Sequence, residues 1–272
     1  MSSDSKLTKF ALWITYDGTQ TCGWQKQRGT AASGGPSVQE AIEKALHQIS
    51  GESPSVVGSG RTDAGVHASG QVAHFCLREK DWGVEKFRLA LNSTLPPWVR
   101  IREVREVRIE FHAQRSALKK QYSYYILQSK APIPHLAPYA WWVRRSLDRD
   151  RMGEAISYLK GKHDFAVFQA SGAKPGPTDR TIFEADVTTV TPKFPDFGPQ
   201  LELIRIRVVG SGFLKQMVRA IAGTLIEIGQ GKHDVSHFDL LIQSKDRSFL
   251  GATAKPRGLW LERVWYSEVD FF

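Results

Sequence analysis

With 272 residues the chain can bury a substantial core as one large domain or two intimate halves, and its 41% hydrophobic content is ordinary for a globular protein. Thirty-seven Lys plus Arg against 28 Asp plus Glu leave a net charge of +9, which favours a polyanionic partner, nucleic acid above all. Two cysteines, Cys22 and Cys76, exclude a disulfide scaffold, and the eight scattered histidines give no metal spacing, so no structural metal is expected. No apolar run approaches the ~20 residues that span a bilayer. The opening Met-Ser-Ser-Asp-Ser-Lys is neither a secretion signal nor an arginine-rich amphipathic helix, so a cytoplasmic location is expected.

Residues 9–16 are β-branched and aromatic enough for a strand, which runs into Tyr16-Asp-Gly18 and Gly23-Trp-Gln-Lys-Gln27. Trp24 reads as a core residue. The stretch 28–36, rich in Gly, Ala and Ser, predicts a mobile loop. Ser37-Val-Gln-Glu40 is a capping box opening a helix whose apolar stripe is Val38, Ala41, Ile42, Ala45, Leu46 and Ile49.

Gly58-Ser-Gly-Arg-Thr-Asp-Ala-Gly-Val-His-Ala-Ser-Gly70 predicts a tight loop between strands, because glycines at 58, 60 and 65 allow backbone angles closed to other residues. Three readings fit it. It could be a plain hairpin with a solvated Arg61–Asp63 pair. It could be a phosphate cradle, but the dinucleotide pattern needs a third glycine at 63, where a carboxylate would repel pyrophosphate. It could present a catalytic carboxylate at a cleft floor, with Arg61 favouring its charged form.

A strand over 71–77, a helix carrying Val84, Phe87 and Leu91 that stops before Pro96, and a strand over 99–102 follow. With a weak strand at 55–57 the first half reads β-α-β-β-α-β. Phe111-His-Ala113 and Arg115-Ser-Ala117 lead out of it. Lys119-Lys-Gln-Tyr122-Ser-Tyr124 is a strand with alternating tyrosines behind two lysines, a pattern open to RNA contact (phosphate on the lysines, a base on a ring) or to core packing. Tyr124 is assigned to the core.

Asp148 caps a helix with Met152, Ala155, Ile156 and Leu159 on one face. His163-Asp-Phe165 reads as structural, 171–179 as a flexible loop, and 183–190 and 201–209 as strands. A helix over 213–228 carries the stripe Leu214, Met217, Val218, Ile221, Leu225 and Ile228, with Gly229 as its cap. Arg219 lies beside that stripe, and small residues at Ala220 and Gly223 would let another backbone approach. A further helix holds Val235, Phe238, Leu241 and Ile242, and Gly258-Leu-Trp-Leu261 leads a last strand.

Arg61-Thr-Asp-Ala-Gly-Val-His-Ala68 with Gly70-Gln-Val-Ala-His-Phe75 resembles the signature of the tRNA pseudouridine synthase A family. So do Tyr16-Asp-Gly18 with Gly23-Trp-Gln-Lys-Gln27, the basic-basic-Tyr-x-Tyr run ending at Tyr124, Phe213-Leu-x-x-Met-Val-Arg219-x-Ile-x-Gly-Thr224, and Gly258-Leu-x-Leu261. Two departures are Thr21, where relatives commonly carry an aromatic, and Gln121, an extra residue between the lysines and Tyr122. The five motifs run in order from about residue 16 to residue 266.

The resemblance implies an α+β fold of two similar β-α-β-β-α-β (RRM/ferredoxin-like) halves, 1–115 and 116–272, whose mostly antiparallel sheets join with the catalytic cleft between them. It implies Asp63 as the essential catalytic residue, Arg219 as its ionic partner and Tyr122 against the target uracil. Leu259 would line the uracil pocket, with Arg61, Lys119 and Lys120 as further substrate-binding residues. The substrate implied is uridine at positions 38, 39 and 40 of the tRNA anticodon stem-loop, bound by a homodimer. The reaction breaks the bond between ribose and uracil nitrogen, turns the base and rejoins the ribose to carbon 5. No atoms or electrons are gained, so no cofactor or metal is expected. Asp63 could attack the sugar, attack the ring or remove a ribose proton. The rival readings are a non-catalytic tRNA-binding module and a nucleotide-binding oxidoreductase, the latter disfavoured by the missing third glycine.

Overall fold

In a computed structural model of the protein, residues 7–26, 35–78, 83–173, 175–192 and 201–272 are described. Most of the loop expected over 28–36, and Gln27 at the end of the second motif, lie outside them, as does residue 174 of the loop expected over 171–179. The elements in chain order are β1 (Leu7–Tyr16), α1 (Val38–Ser50), β2 (Val57–Gly58), β3 (His67–Arg78), α2 (Val84–Thr94), β4 (Val99–Val107), β5 (Lys119–Gln128) and β6 (Trp141–Val143). They continue with α3 (Arg149–Ser157), β7 (Gly161–Asp164), β8 (Asp179–Val190), β9 (Leu203–Gly210), α4 (Met217–Gly229), α5 (His237–Ser244) and β10 (Leu259–Trp265). They form two compact units, Met1–Leu118 with Leu261–Phe272, and Lys119–Trp260. Among the described residues no helix is long and apolar enough to cross a membrane.

The first unit follows the expected β-α-β-β-α-β succession. Its strands lie in the order β4-β1-β3, with β2 and β10 both on β3, and β1 pairs antiparallel with β3 and β4. Ser37 caps α1, its hydroxyl accepting the Glu40 N–H at 3.2 Å, while the Glu40 carboxylate pairs with Lys44 at 2.8 Å, and Gly51 closes the helix at φ +75°. Val38, Ile42, Ala45 and Leu46 of the predicted stripe are buried. Phe10 joins strand to strand and strand to helix, stacking on Phe75 of β3 and Phe87 of α2 at 5.6 and 5.5 Å. Each such side chain contributes about 1.5–3 kcal/mol by leaving water. The last strand passes Gly70 so closely that a Cβ there would lie 2.0 Å from the Glu262 carbonyl oxygen. Beyond it the Tyr266 hydroxyl donates to the Ala113 carbonyl at 2.7 Å.

In the second unit β5, β9, β8 and β7 form an antiparallel series, with β6 added parallel to β5. Asp148 caps α3 as expected, accepting from Arg151 N–H at 3.0 Å. Two expectations for the long helix change. α4 starts at Met217 instead of 213, because Gln216 takes a left-handed conformation (φ +62°) that no α-helix tolerates. Gly229 is the last helical residue and Gln230 the cap. The need for glycine at 229 is space, since a Cβ there would lie 2.7 Å from the Met152 sulfur on α3.

Candidate active site

The loop carrying Asp63 joins β2 to β3, and it is braced from behind. Gly65, at φ +77°, supplies the turn, which closes when Val66 N–H donates to the Asp63 carbonyl at 3.2 Å. Gly58 has a different reason: the Trp24 indole occupies the space a Cβ would need, at 2.5 Å. Trp24 is 2% exposed, so it is core, as the sequence predicts.

Gly23, at φ +96°, lies so near the loop that a Cβ would come within 2.4 Å of the Thr62 oxygen and 2.9 Å of the Asp63 carbonyl carbon. Trp24 N–H donates to Thr62 O at 3.1 Å. Gly18 meets the Val66 oxygen in the same way, at 2.1 Å. The Tyr-Asp-Gly and Gly-Trp-Gln motifs are therefore the backing of the aspartate loop. Their glycines are required because backbone packs on backbone there.

Two buried side chains complete the brace. Tyr16 hydroxyl and Thr62 Oγ1 share a hydrogen bond of 2.8 Å, and burial pushes the phenol up to about 12, so it stays protonated at neutral pH. Gln71 accepts from Ser59 Oγ at 2.7 Å and donates to the Gly60 carbonyl at 2.9 Å, tying β3 to the loop's entry. The result is a half-buried Asp63 on a fixed backbone, beside an exposed Arg61. Tyr16, Gln71 and Gly23 lie in the quoted motifs, but roles for them become readable only from the geometry.

The remaining candidates lie in the second unit. Tyr122 is 7% exposed on β5, with its ring edge-to-face on Phe213 at a 5.1 Å centroid distance. Lys120 points to the same side of the strand, since alternate residues share a face. Burial, and secondly the nearby positive charge of Arg180, lower its ammonium to about 8. Lys119 takes the other side, 3.8 Å from Glu184, where Arg207 also binds Glu184 and Asp186. The two lysines are thus not one patch.

Arg219 and Leu259 are linked through one segment. Arg219 Nε donates to the Ala254 carbonyl at 2.8 Å, while Ala254 N–H donates back to the Arg219 carbonyl at 3.0 Å. A Cβ at Gly223 would be 1.7 Å from the Ala252 oxygen, so the close approach predicted for this helix face is made by 252–254. Gly251 N–H reaches Thr224 Oγ1 at 3.2 Å. Four residues on, the fully buried Tyr124 donates its hydroxyl to the Lys255 carbonyl at 2.7 Å, and its ring fills the space beside Gly258. Leu259, 7% exposed, follows directly. The second tyrosine of the Tyr-x-Tyr motif therefore anchors the turn that presents the leucine.

A family model described as tRNA pseudouridine synthase matches residues 13–114 and 155–267. The tRNA pseudouridine synthase A of Geobacter sp. (strain M21) is 42% identical over 260 residues, covering 94% of this chain and 98% of that protein. The protein of the same name from Sinorhizobium fredii (strain NBRC 101917 / NGR234) is 38% identical, covering 96% and 100%. That from Thermoanaerobacter sp. (strain X514) is 39% identical, covering 93% and 97%. Matches of this length take in the aspartate loop, its backing motifs and the Arg219 helix together, and the chain belongs to the tRNA pseudouridine synthase family.

Proposed function

We propose that the protein isomerises uridine to pseudouridine in the tRNA anticodon stem-loop, at positions 38, 39 and 40, with Asp63 as the essential catalytic residue. Family membership over nearly the whole chain carries the reaction. The assignment to Asp63 is supported by its loop, which three separate segments hold in place. The reaction breaks the C1′–N1 bond and forms C1′–C5, while the hydrogen on C5 leaves and N1 gains one. Nothing is oxidised, so a carboxylate, orientation and a dry pocket supply the catalysis.

In this reading Arg219 pairs with Asp63 and orients it, and Tyr122 stacks on the extruded uracil and relays the C5 proton. Extruding the base costs a few kcal/mol, partly offset by that stacking. Leu259 closes the apolar side of the pocket, while Arg61 and Lys120 meet the RNA. Lys119, on the opposite face of β5 and 3.8 Å from Glu184, is a further substrate-binding residue in this reading. The halves 1–115 and 116–272 would then contribute the aspartate and the uracil pocket respectively.

The test is tritium release from tRNA labelled at uracil C5, without added cofactor, with Asp63→Asn alongside. Wild type should release tritium, and Asp63→Asn should lose at least 10²-fold of the rate while still binding tRNA. Wild-type turnover by a folded Asp63→Asn would remove the assignment. Binding without release by wild type would favour the non-catalytic tRNA-binding module. We further propose a homodimer acting in the cytoplasm. A monomer mass by light scattering at working concentration would refute the first, and recovery from a non-cytoplasmic fraction the second.

A further inference from the structure

We propose that Lys120 and Arg180 together hold one phosphodiester group of the RNA backbone, over the Gly210–Ser211–Gly212 turn and beside Tyr122. The proposal rests on the reading of the chain as a protein that acts on tRNA, and it adds a binding residue, Arg180, and a subsite to that reading. The register places the two cations together. Lys120 on β5 and Ile182 on β8 are both paired with Gly210 on β9. Paired residues of antiparallel strands share a face, so Lys120, Gly210 and Ile182 point to one side, and Arg180, two residues before Ile182, points there too.

Glycine is what opens this corner. A Cβ at Gly210 would lie 2.9 Å from Ile182 Cδ1 and 3.2 Å from Phe213 Cζ, and one at Gly212 would touch Arg180 Nε at 3.5 Å. Phe213 is the ring on which Tyr122 rests, so the corner is continuous with the proposed uracil stack. The turn is rigid: Ser211 N–H donates to Thr181 O at 2.9 Å and Ser211 Oγ accepts from Thr181 N–H at 3.0 Å. Arg180 is rigid as well, because its Nη1 donates to the Pro177 and Asp179 carbonyls at 2.9 and 2.6 Å, which fixes the plane of the guanidinium.

Burial first, and the nearby positive charge of Arg180 second, lower the Lys120 ammonium, so the two like charges on this partly buried face repel each other. A single anion between them removes the repulsion. A planar guanidinium and a point-charge ammonium are the pair that phosphate recognition uses. The acidic residues of the same strands lie elsewhere: Glu184 and Asp186 face Arg207 across the other side of the sheet, and Asp179 is the exposed neighbour of Arg180 on the opposite side of β8.

Equilibrium tRNA binding measured over a range of salt tests the shared phosphate. Wild type, Lys120→Gln, Arg180→Gln, the double variant and Arg180→Lys are compared by the slope of log K against log salt. One neutralised phosphate contributes about 0.7–0.9 to that slope. The double variant should lose that amount once and bind several-fold more weakly near 0.1 M salt, while Arg180→Lys should keep the wild-type slope. An unchanged slope in the double variant, or a loss twice as large, would overturn the proposal: the first means no phosphate, the second means two. Should Arg180→Gln fail to fold by circular dichroism, Lys120→Gln alone decides, through loss or retention of slope. Tritium release by wild type is run in parallel. Its absence with the slope change intact would sink the catalytic reading and leave the phosphate subsite standing.

Discussion

His74 shows how one side chain couples the fold to pH. Its ring is 7% exposed on β3, and Nδ1 accepts the Ala113 N–H at 3.1 Å, which requires a lone pair on that nitrogen. Burial first, and then the positive charges of His112, Lys9 and Arg115, lower its pKa from 6.5 to about 4. Between pH 6.5 and 4 the unfolded chain binds a proton that the folded chain refuses. Stability from this site is therefore complete above about pH 6.5 and is lost progressively as pH falls towards 4. Allowing for partial solvent screening, we expect about 1 kcal/mol lost between pH 7 and pH 5. Urea unfolding at the two pH values measures it. His74→Gln keeps an acceptor without titrating, and its difference between pH 7 and pH 5 should be smaller by that amount. An equal difference in both proteins would refute the assignment.

At the scale of elements, the site is held by glycines that let backbones meet. Gly223 of α4 is the extreme case, with the Ala252 oxygen where its Cβ would be. Gly223→Ala cannot be absorbed by rotating a side chain, so helix and segment must separate, at about 1–3 kcal/mol for the overpacking. Thr224→Val is gentler. It removes the acceptor of the Gly251 N–H and, with it, the hydroxyl's own bond to the Ala220 carbonyl, and a buried donor left unmet costs about 1–3 kcal/mol. Both changes should lower the denaturation midpoint. Both should also slow tritium release, because Ala252–Ala254 orients Arg219 and leads to Leu259. Wild-type rates in a destabilised Gly223→Ala protein would show that this brace does not serve the site. The sequence made the elements legible, since periodicity and capping are local: α1, its cap and the β-α-β-β-α-β order of the first unit are as predicted. The long helix starts later than its spacing predicts, for a local reason too. Apolar spacing continues through 213–216, while the left-handed turn at Gln216, a residue with no such preference, leaves no mark in the pattern. The glycines of 18, 23 and 223 were visible as motif letters, but their partners are distant in sequence, and only folding names them.

For the whole molecule, the chain's path matters more than its composition. Nothing in the pattern of Leu259–Trp265 says which strand it joins, and the answer is that residues from Leu261 onward belong with the N-terminal unit. Five apolar side chains of this return, Leu261, Val264, Tyr266, Val269 and Phe271, are at most 9% exposed. At about 1.5–3 kcal/mol each they represent roughly 7–15 kcal/mol, as much as the entire stability of an ordinary domain. A chain ending at Trp260 also leaves β3 without the strand that lies against Gly70, and β3 is the strand whose Gln71 fixes the Asp63 loop. Such a chain should therefore lose the cooperative unfolding of its first unit and become sensitive to protease within residues 1–118. It should release no tritium from tRNA even though every proposed catalytic residue is still present. Adding a peptide of residues 259–272 should restore part of the protease resistance. A truncated protein with an unchanged melting curve would mean that the return strand adds little, and that β1, β3 and β4 hold the aspartate loop without it.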